Sequence, residues 1–142
     1  MGKILVVDAS VWIAAQDPKD SFCPASRELL SRALNDQWEI QLPSFALLEV
    51  ACALAGILKN SAKGRLLAEE VMLKMRVRFI PLDQEFLTRA IDCGTHQFLK
   101  GADTLYAALA ERTGSALISW DKEHLNRAGG QTPTDWLLAE AP

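Results

Sequence analysis

The chain is expected to be α/β: a three-layer α/β/α sandwich with a short, mainly parallel sheet of four or five strands. Short aliphatic runs alternate along it with longer stretches whose apolar residues recur at helical spacing, the order that crossover connections require. The first run, Ile4 to Val7, is aliphatic without alternation, as in a strand covered on both faces. Right-handed crossovers between parallel strands put their carboxyl ends on one rim, where ligands bind in open α/β sheets.

Lys3 to Val7 is the first expected strand. Ala9-Ser10 starts a short helix that packs Val11, Trp12 and Ile13 inward, and Gln16-Asp17-Pro18 stops it. Ser21 to Ala33 forms the second helix, with Pro24 in its first turn and Leu29, Leu30, Ala33 and Leu34 on its apolar stripe. Ile40-Gln41-Leu42 is a short strand closed by Pro43-Ser44, and Phe45 to Leu58 is helical up to Lys59-Asn60. A helix from about Ala62 to Met75 precedes a strand from Val77 to Ile80, ended by Pro81.

Asp83 begins a helix bearing Phe86, Leu87, Ala90 and Ile91, and Gly94 is expected to end it. Lys100 to Arg112 is the clearest helix, with Gly114 just beyond its end. Ala116 to Ser119 is a strand, Asp121 to Asn126 a turn or short helix, and Gly129-Gly130 a break. Thr132-Pro133-Thr134-Asp135 then starts a last helix carrying Trp136, Leu137 and Leu138. With no repeat, linker or low-complexity segment, residues 1–142 are expected to form a single domain.

Composition excludes several classes. At 49% hydrophobic and 23% charged, the chain is neither disordered nor fibrous. No apolar stretch approaches the roughly 20 residues that span a bilayer, and Ile4 to Val7 is too short for a signal-peptide core, so a cytoplasmic protein is expected. Cys23, Cys52 and Cys93 are odd in number and widely spaced, which argues for small core residues over disulfides or zinc. The net charge of −3 is unusual for a protein that binds nucleic acid by charge alone. Between Lys59 and Arg78, however, six basic residues stand against Glu69 and Glu70, a flank suited to a phosphodiester or to a solvated helix face.

Four acids stand where the chain changes character. Asp8 ends the first strand, Asp121 follows the run Ala116 to Trp120, and Glu49 and Asp103 lie near the starts of apolar helices. Two carboxylates about 4 Å apart repel by roughly 4 kcal/mol at an effective dielectric of 20. Several such pairs rival the roughly 5–15 kcal/mol stability of a whole domain, so protons or cations must relieve them. Hard oxygen ligands select Mg²⁺ or Mn²⁺. No other catalyst competes: the chain has no G-x-S-x-G and no Gly-rich phosphate loop, and His96 and His124 lack a nucleophile partner.

Simpler readings exist for each acid. Asp8 suits a helix cap, Asp103 a favourable anion near a helix N-terminus, and Asp121 a turn residue. Glu49 is harder to dismiss between Leu48 and Val50 in so apolar a helix. Ser10 and Ser119 suit local caps as well as supports for the acids. His124 is expected at the surface, Lys100 at a substrate phosphate or in solvent, and Trp12, Trp38, Trp120 and Trp136 in the core or against partners in preference to serving as base-stacking platforms.

The segments Val6-Val7-Asp8-Ala9-Ser10-Val11-Trp12, Leu48-Glu49-Val50, Gly101-Ala102-Asp103-Thr104-Leu105-Tyr106 and Leu117-Ile118-Ser119-Trp120-Asp121 resemble, in order and spacing, the successive motifs of PIN-domain ribonucleases, especially VapC-like toxins. That resemblance implies that Asp8, Glu49, Asp103 and Asp121 are catalytic and hold one or two Mg²⁺ or Mn²⁺ ions, with Ser10 and Ser119 supporting. It further implies that a metal-activated water cuts RNA, that an antitoxin protein inhibits the enzyme, and that the chain forms a homodimer. Two other readings remain: a PIN-like RNA-binding or protein-interaction module with little turnover, and a phosphatase of the haloacid-dehalogenase type. The latter wants a second Asp where this chain has Ser10.

Overall fold

Each strand is followed by two helices, and this repeated order builds the domain. In the computed structural model, which describes residues 2–141, β1 (Ile4–Val7) leads to α1 (Ala9–Ala15) and α2 (Cys23–Asn35), and β2 (Glu39–Pro43) to α3 (Ala46–Leu58) and α4 (Ser61–Lys74). Next, β3 (Val77–Ile80) leads to α5 (Gln84–Gln97) and α6 (Gly101–Thr113), and β4 (Ala116–Ile118) to α7 (Lys122–Arg127) and α8 (Pro133–Ala139). The strands form one sheet in the order β3-β2-β1-β4, and every pairing is parallel. An isolated parallel bridge between Ile118 and Gln131 extends the edge beside β4.

Leu5, Val6 and Val7 are each fully buried, although neighbours on a strand point to opposite faces, so helices must cover both sides of β1. The outcome is the expected three-layer α/β/α sandwich. Trp12, Leu29, Ile40, Leu42, Leu54, Phe86, Tyr106 and Leu109 fill the core around the sheet. The two inner strands are thereby fixed in register, Leu5 against Ile40 on one side and Ala116 on the other. Edge strand β3 leaves Arg78 and Phe79 exposed.

The crossovers between α3 and α4 and between α5 and α6 are tight because small residues meet there. A Cβ on Gly64 would lie 2.4 Å from the backbone of Ala55. Gly94 does not end α5: the helix continues to Gln97, and Phe98 takes the left-handed cap at φ 57°. Gly94 instead lets α6 approach, since a Cβ there would lie 2.7 Å from Thr104 Cγ2. Packing, not chain termination, is the reason for this glycine. Cys23 and Cys93 are buried as expected, but Cys52 faces outward from α3 and is exposed. No described helix is long and apolar enough to cross a membrane.

Candidate metal centre

The carboxyl ends of β1 and β4 are tied together by the Asp8 N–H, which donates to the Ile118 carbonyl at 2.9 Å. Both acids that leave these strands also cap helices. Asp8 is the N-cap of α1 and accepts from Ser10 N–H through Oδ2, and Asp121 is the N-cap of α7 and accepts from Glu123 N–H through Oδ1 at 2.8 Å. Capping occupies one oxygen of each, and the other has no protein partner among the described residues. Capping and ligation therefore coexist, so the cap reading of these residues does not exclude the sharper one.

Asp8 is buried and its Oδ2 accepts the hydroxyl protons of Ser10 at 2.7 Å and Ser119 at 2.9 Å. Each serine then has its oxygen free to accept: Ser10 Oγ takes the Trp120 N–H at 3.1 Å, and Ser119 Oγ takes the Asp121 N–H at 2.9 Å. The two hydroxyls thus lock the strand ends β1 and β4 and the loop after β4 around a single carboxylate.

His124, expected at the surface, is fully buried in this network. Because Ser119 donates its proton to Asp8, the contact of 3.1 Å between Ser119 Oγ and His124 Nδ1 needs the proton on nitrogen. On the other side, Nε2 lies 2.8 Å from the Asp103 backbone carbonyl, which can only accept. With the Ser119 proton on Asp8, both ring nitrogens are placed to donate, the arrangement of an imidazolium. Burial works against that charge, but Asp8 at 3.8 Å and the carbonyl and carboxylate of Asp103 outweigh it and push the pKa up to about 9. A doubly donating imidazole has no lone pair for a metal. Its proximity to Asp8 and Asp103 is therefore that of a fixed cation and not of a ligand.

Burial pushes the Asp8 carboxyl up, yet the cationic His124 and the Ser10 and Ser119 hydroxyls overcome it and hold the group below the ordinary carboxylate range. At 3.8 Å the imidazolium acts on Asp8 by charge and through Ser119, being too far for a direct hydrogen bond. Asp103, in the first turn of α6, behaves oppositely. Partial burial raises its pKa, and Asp121, Asp8 and Glu123 raise it further against the pull of His124.

Glu49 projects from α3 and is half-buried. The Tyr106 hydroxyl, on a fully buried ring in α6, donates to its Oε1 at 2.6 Å. Burial nevertheless raises the Glu49 pKa, and the charges of Asp8 and Asp103 add to it, which places Glu49 in the field of the same cluster. Leu48 and Cys52, its apolar neighbours in sequence, point into solvent. The helix is apolar without being enclosed, which is how Glu49 escapes the full penalty of burial.

One oxygen each of Asp103, Asp121 and Glu123 lie within 4.8 Å of one another, as do ligand atoms of Asp8, Asp103 and His124. Among the described residues no Lys or Arg pairs with Asp8, Glu49, Asp103 or Asp121; Glu123 is held by Arg127 at 3.2 Å. The sequence thus pointed to the acids and serines but missed three participants: His124, Tyr106 and Glu123. His124 and Glu123 follow Asp121 on the short helix that it caps, and that spacing was the available signal. All-oxygen donors, with Glu49 and Asp103 shifted upward beside the His124 cation, suit a hard divalent ion such as Mg²⁺ or Mn²⁺.

An all-parallel α/β domain whose strand ends gather carboxylates in this way offers a candidate site for a divalent cation. The sequence model of the PIN domain matches residues 5–130, and the chain belongs to the PIN-domain family. Among solved structures it is similar to PAE2754 of Pyrobaculum aerophilum, with a TM-score of 0.69, 20% identity, and 98% of this chain and 97% of that one covered. It is also similar to VapC20 of Mycobacterium tuberculosis, described as a sarcin–ricin loop cleaving toxin, with a TM-score of 0.66, 16% identity, and 83% and 90% covered. VapBC2 of Rickettsia felis, solved on a DNA fragment from its promoter, has a TM-score of 0.65 at 13% identity, with 91% and 96% covered. No curated protein matches the chain. At these identities the structural likenesses carry the fold.

Proposed function

We propose that this chain is a Mg²⁺- or Mn²⁺-dependent endoribonuclease of the cytoplasm, the toxin of a two-protein module held in check by an antitoxin. The observation that carries this reading is that Asp103 has ligand atoms close both to those of Asp8 and to those of Asp121, in the field of Glu49, with no Arg or Lys paired to any of the four among the described residues. Asp8, Glu49, Asp103 and Asp121 would hold the ion, with Glu123 at the margin because Arg127 already engages it. Once bound, such an ion neutralises phosphate oxygens and lowers the pKa of water at the scissile bond.

The protein groups keep this arrangement ready. Ser10, Ser119 and His124 hold Asp8 ionised, and Tyr106 fixes one oxygen of Glu49. His124 binds the Asp103 carbonyl and so sets the first turn of α6 against the end of β4. Exposed Lys100, the N-cap of α6 three residues before Asp103, is a cation available to an incoming phosphate.

Two exposed apolar faces support protein partners. Leu82, Leu87, Ile91 and Phe98 border a groove of about 700 Å³ along α5 and α6, and Leu48, Leu66 and Leu73 stand out on α3 and α4. A second copy of the chain and the antitoxin are the proposed occupants. The toxin–antitoxin membership of similar folds points the same way.

The test is cleavage of single-stranded RNA with Mn²⁺, with and without chelator, by the wild type and Asp8→Asn. Cleavage that needs the metal and Asp8 is expected. Cleavage that survives both chelator and substitution overturns the chemistry, and binding without cleavage on any RNA makes the chain a recognition module.

A further inference from the structure

Trp120 lies between Ser119 and Asp121, and its backbone N–H is bonded to Ser10 Oγ, so its main chain is part of the carboxylate network. Its indole turns away and stacks on Phe22, with ring centroids 4.0 Å apart and planes inclined by 8°. The Trp120 indole and the Phe22 main chain meet on one buried hydroxyl. Ser26 Oγ donates to the Phe22 carbonyl at 2.7 Å and accepts the Trp120 Nε1–H at 2.8 Å. The Phe22 N–H in turn donates to Asp20 Oδ1 at 2.8 Å, which ties the Phe22 main chain to the turn before α2. One face of Phe22 is used on Trp120, yet 45% of the residue remains exposed.

A pre-ordered aromatic pair with a free outer face, joined to the site by a single residue, is what stacking of a planar ring requires. We propose that Phe22, backed by Trp120, is a stacking platform for a nucleobase of the RNA held at the carboxylate site. The inference rests on the ribonuclease reading and adds the contact that places the strand. Stacking is tolerant of base identity because every base has a π-face, so the platform fixes position and not sequence. Rigidity matters here: the indole is held by Ser26 and Phe22 is already stacked on it before the ligand arrives, so less side-chain freedom is lost on binding. Lys19, in the same loop, and Lys122, just past Asp121, are exposed cations near these residues in sequence, whereas Asp17 and Asp20 are bonded within their own turns.

The experiment measures binding of a short mixed-sequence single-stranded RNA to the Asp103→Asn protein with Mn²⁺, with and without Phe22→Ala or Phe22→Tyr, after melting curves establish that each is folded. Phe22→Ala is expected to weaken binding on the order of ten-fold, and Phe22→Tyr to retain it. Quenching of tryptophan fluorescence by RNA should diminish in Phe22→Ala. An oligonucleotide scan with one abasic position at a time should show one position that matters for the Phe22 protein and not for Phe22→Ala. Equal binding by all three proteins, or a flat abasic scan, overturns the platform while metal-dependent cleavage by the wild type leaves the ribonuclease reading standing. A wild type that neither binds nor cuts RNA overturns both. Loss of a bound protein partner in Phe22→Ala with unchanged RNA affinity assigns the face to that partner instead, and the platform falls.

Discussion

His124 and Asp103 are joined by a hydrogen bond of 2.8 Å from the imidazole Nε2 to the backbone carbonyl, which ties α7 to the first turn of α6. The bond requires a proton on Nε2 while Nδ1 also donates to Ser119, so the site contains its own cation. A bound cation would share the neutralisation of the carboxylates with the imidazolium. The arrangement is asymmetric, because Asp8 receives most of the benefit and Asp103 remains raised.

A dependence of stability on pH follows. The folded pKa of His124, about 9, lies above its free value of 6.5, so the stabilisation is complete below the latter and is lost as pH rises through the former. Asp8 and the Asp103 carboxylate are the charges facing it, with the Tyr106 ring against it at 6.2 Å. In chelator, the urea midpoint of the wild type should fall between about pH 7 and about pH 9.5, and His124→Gln should begin lower and show a flatter profile. Parallel profiles for the two proteins would remove the imidazolium from the account.

Asp103→Asn separates repulsion from ligation. Burial and like charges hold the Asp103 carboxyl above its ordinary value, so its ionised form opposes folding as pH rises through that raised pKa. Without metal the variant should be as stable as the wild type at neutral pH or more so, while RNA cleavage falls by orders of magnitude. Added Mn²⁺ should raise the melting temperature of the wild type more than that of the variant, because the ion binds only the folded form with its full carboxylate set. A variant that unfolds in chelator would make Asp103 a structural residue.

Tyr106→Phe keeps the ring, which packs edge-on to Phe45 at 5.8 Å, and removes only the hydroxyl that holds Glu49. The stability change should be about 1 kcal/mol or less, since Glu49 is half-exposed and can turn to water. Mn²⁺ affinity measured by calorimetry should nonetheless fall several-fold, as Glu49 loses its fixed orientation. Unchanged affinity would place Glu49 outside the ion's ligands.

The sequence made the α/β order, the parallel sheet and the positions of Asp8 and Asp121 legible, because aliphatic runs, caps and strand-end acids are local signals. Glu49 and Asp103 were legible as acids at helix starts, though what surrounds them was not. Tyr106 carries no mark that its hydroxyl reaches Glu49, 57 positions away in sequence. His124 reads as a surface imidazole because its charge is stabilised by Asp8 and Asp103, from two distant segments. Gly94 misled for a related reason: a glycine in a helical pattern ends the helix or lets another approach, and only the position of Thr104 decides between them.

Gly64→Ala tests the scaffold apart from the site. Gly64 is buried on α4, and a Cβ there would sit 2.4 Å from both Cα and N of Ala55 on α3, main-chain atoms that no rotamer change can move. Alanine has the higher helix propensity by about 1 kcal/mol, so an exposed site would gain stability. Here the steric term should win, because forcing an extra carbon into packed backbone costs roughly 1–3 kcal/mol or more and the two helices must separate. A lower melting temperature is therefore expected, with metal affinity intact in the folded fraction since Glu49 lies near the opposite end of α3. A gain in stability would mean that α3 and α4 are not in contact at this point.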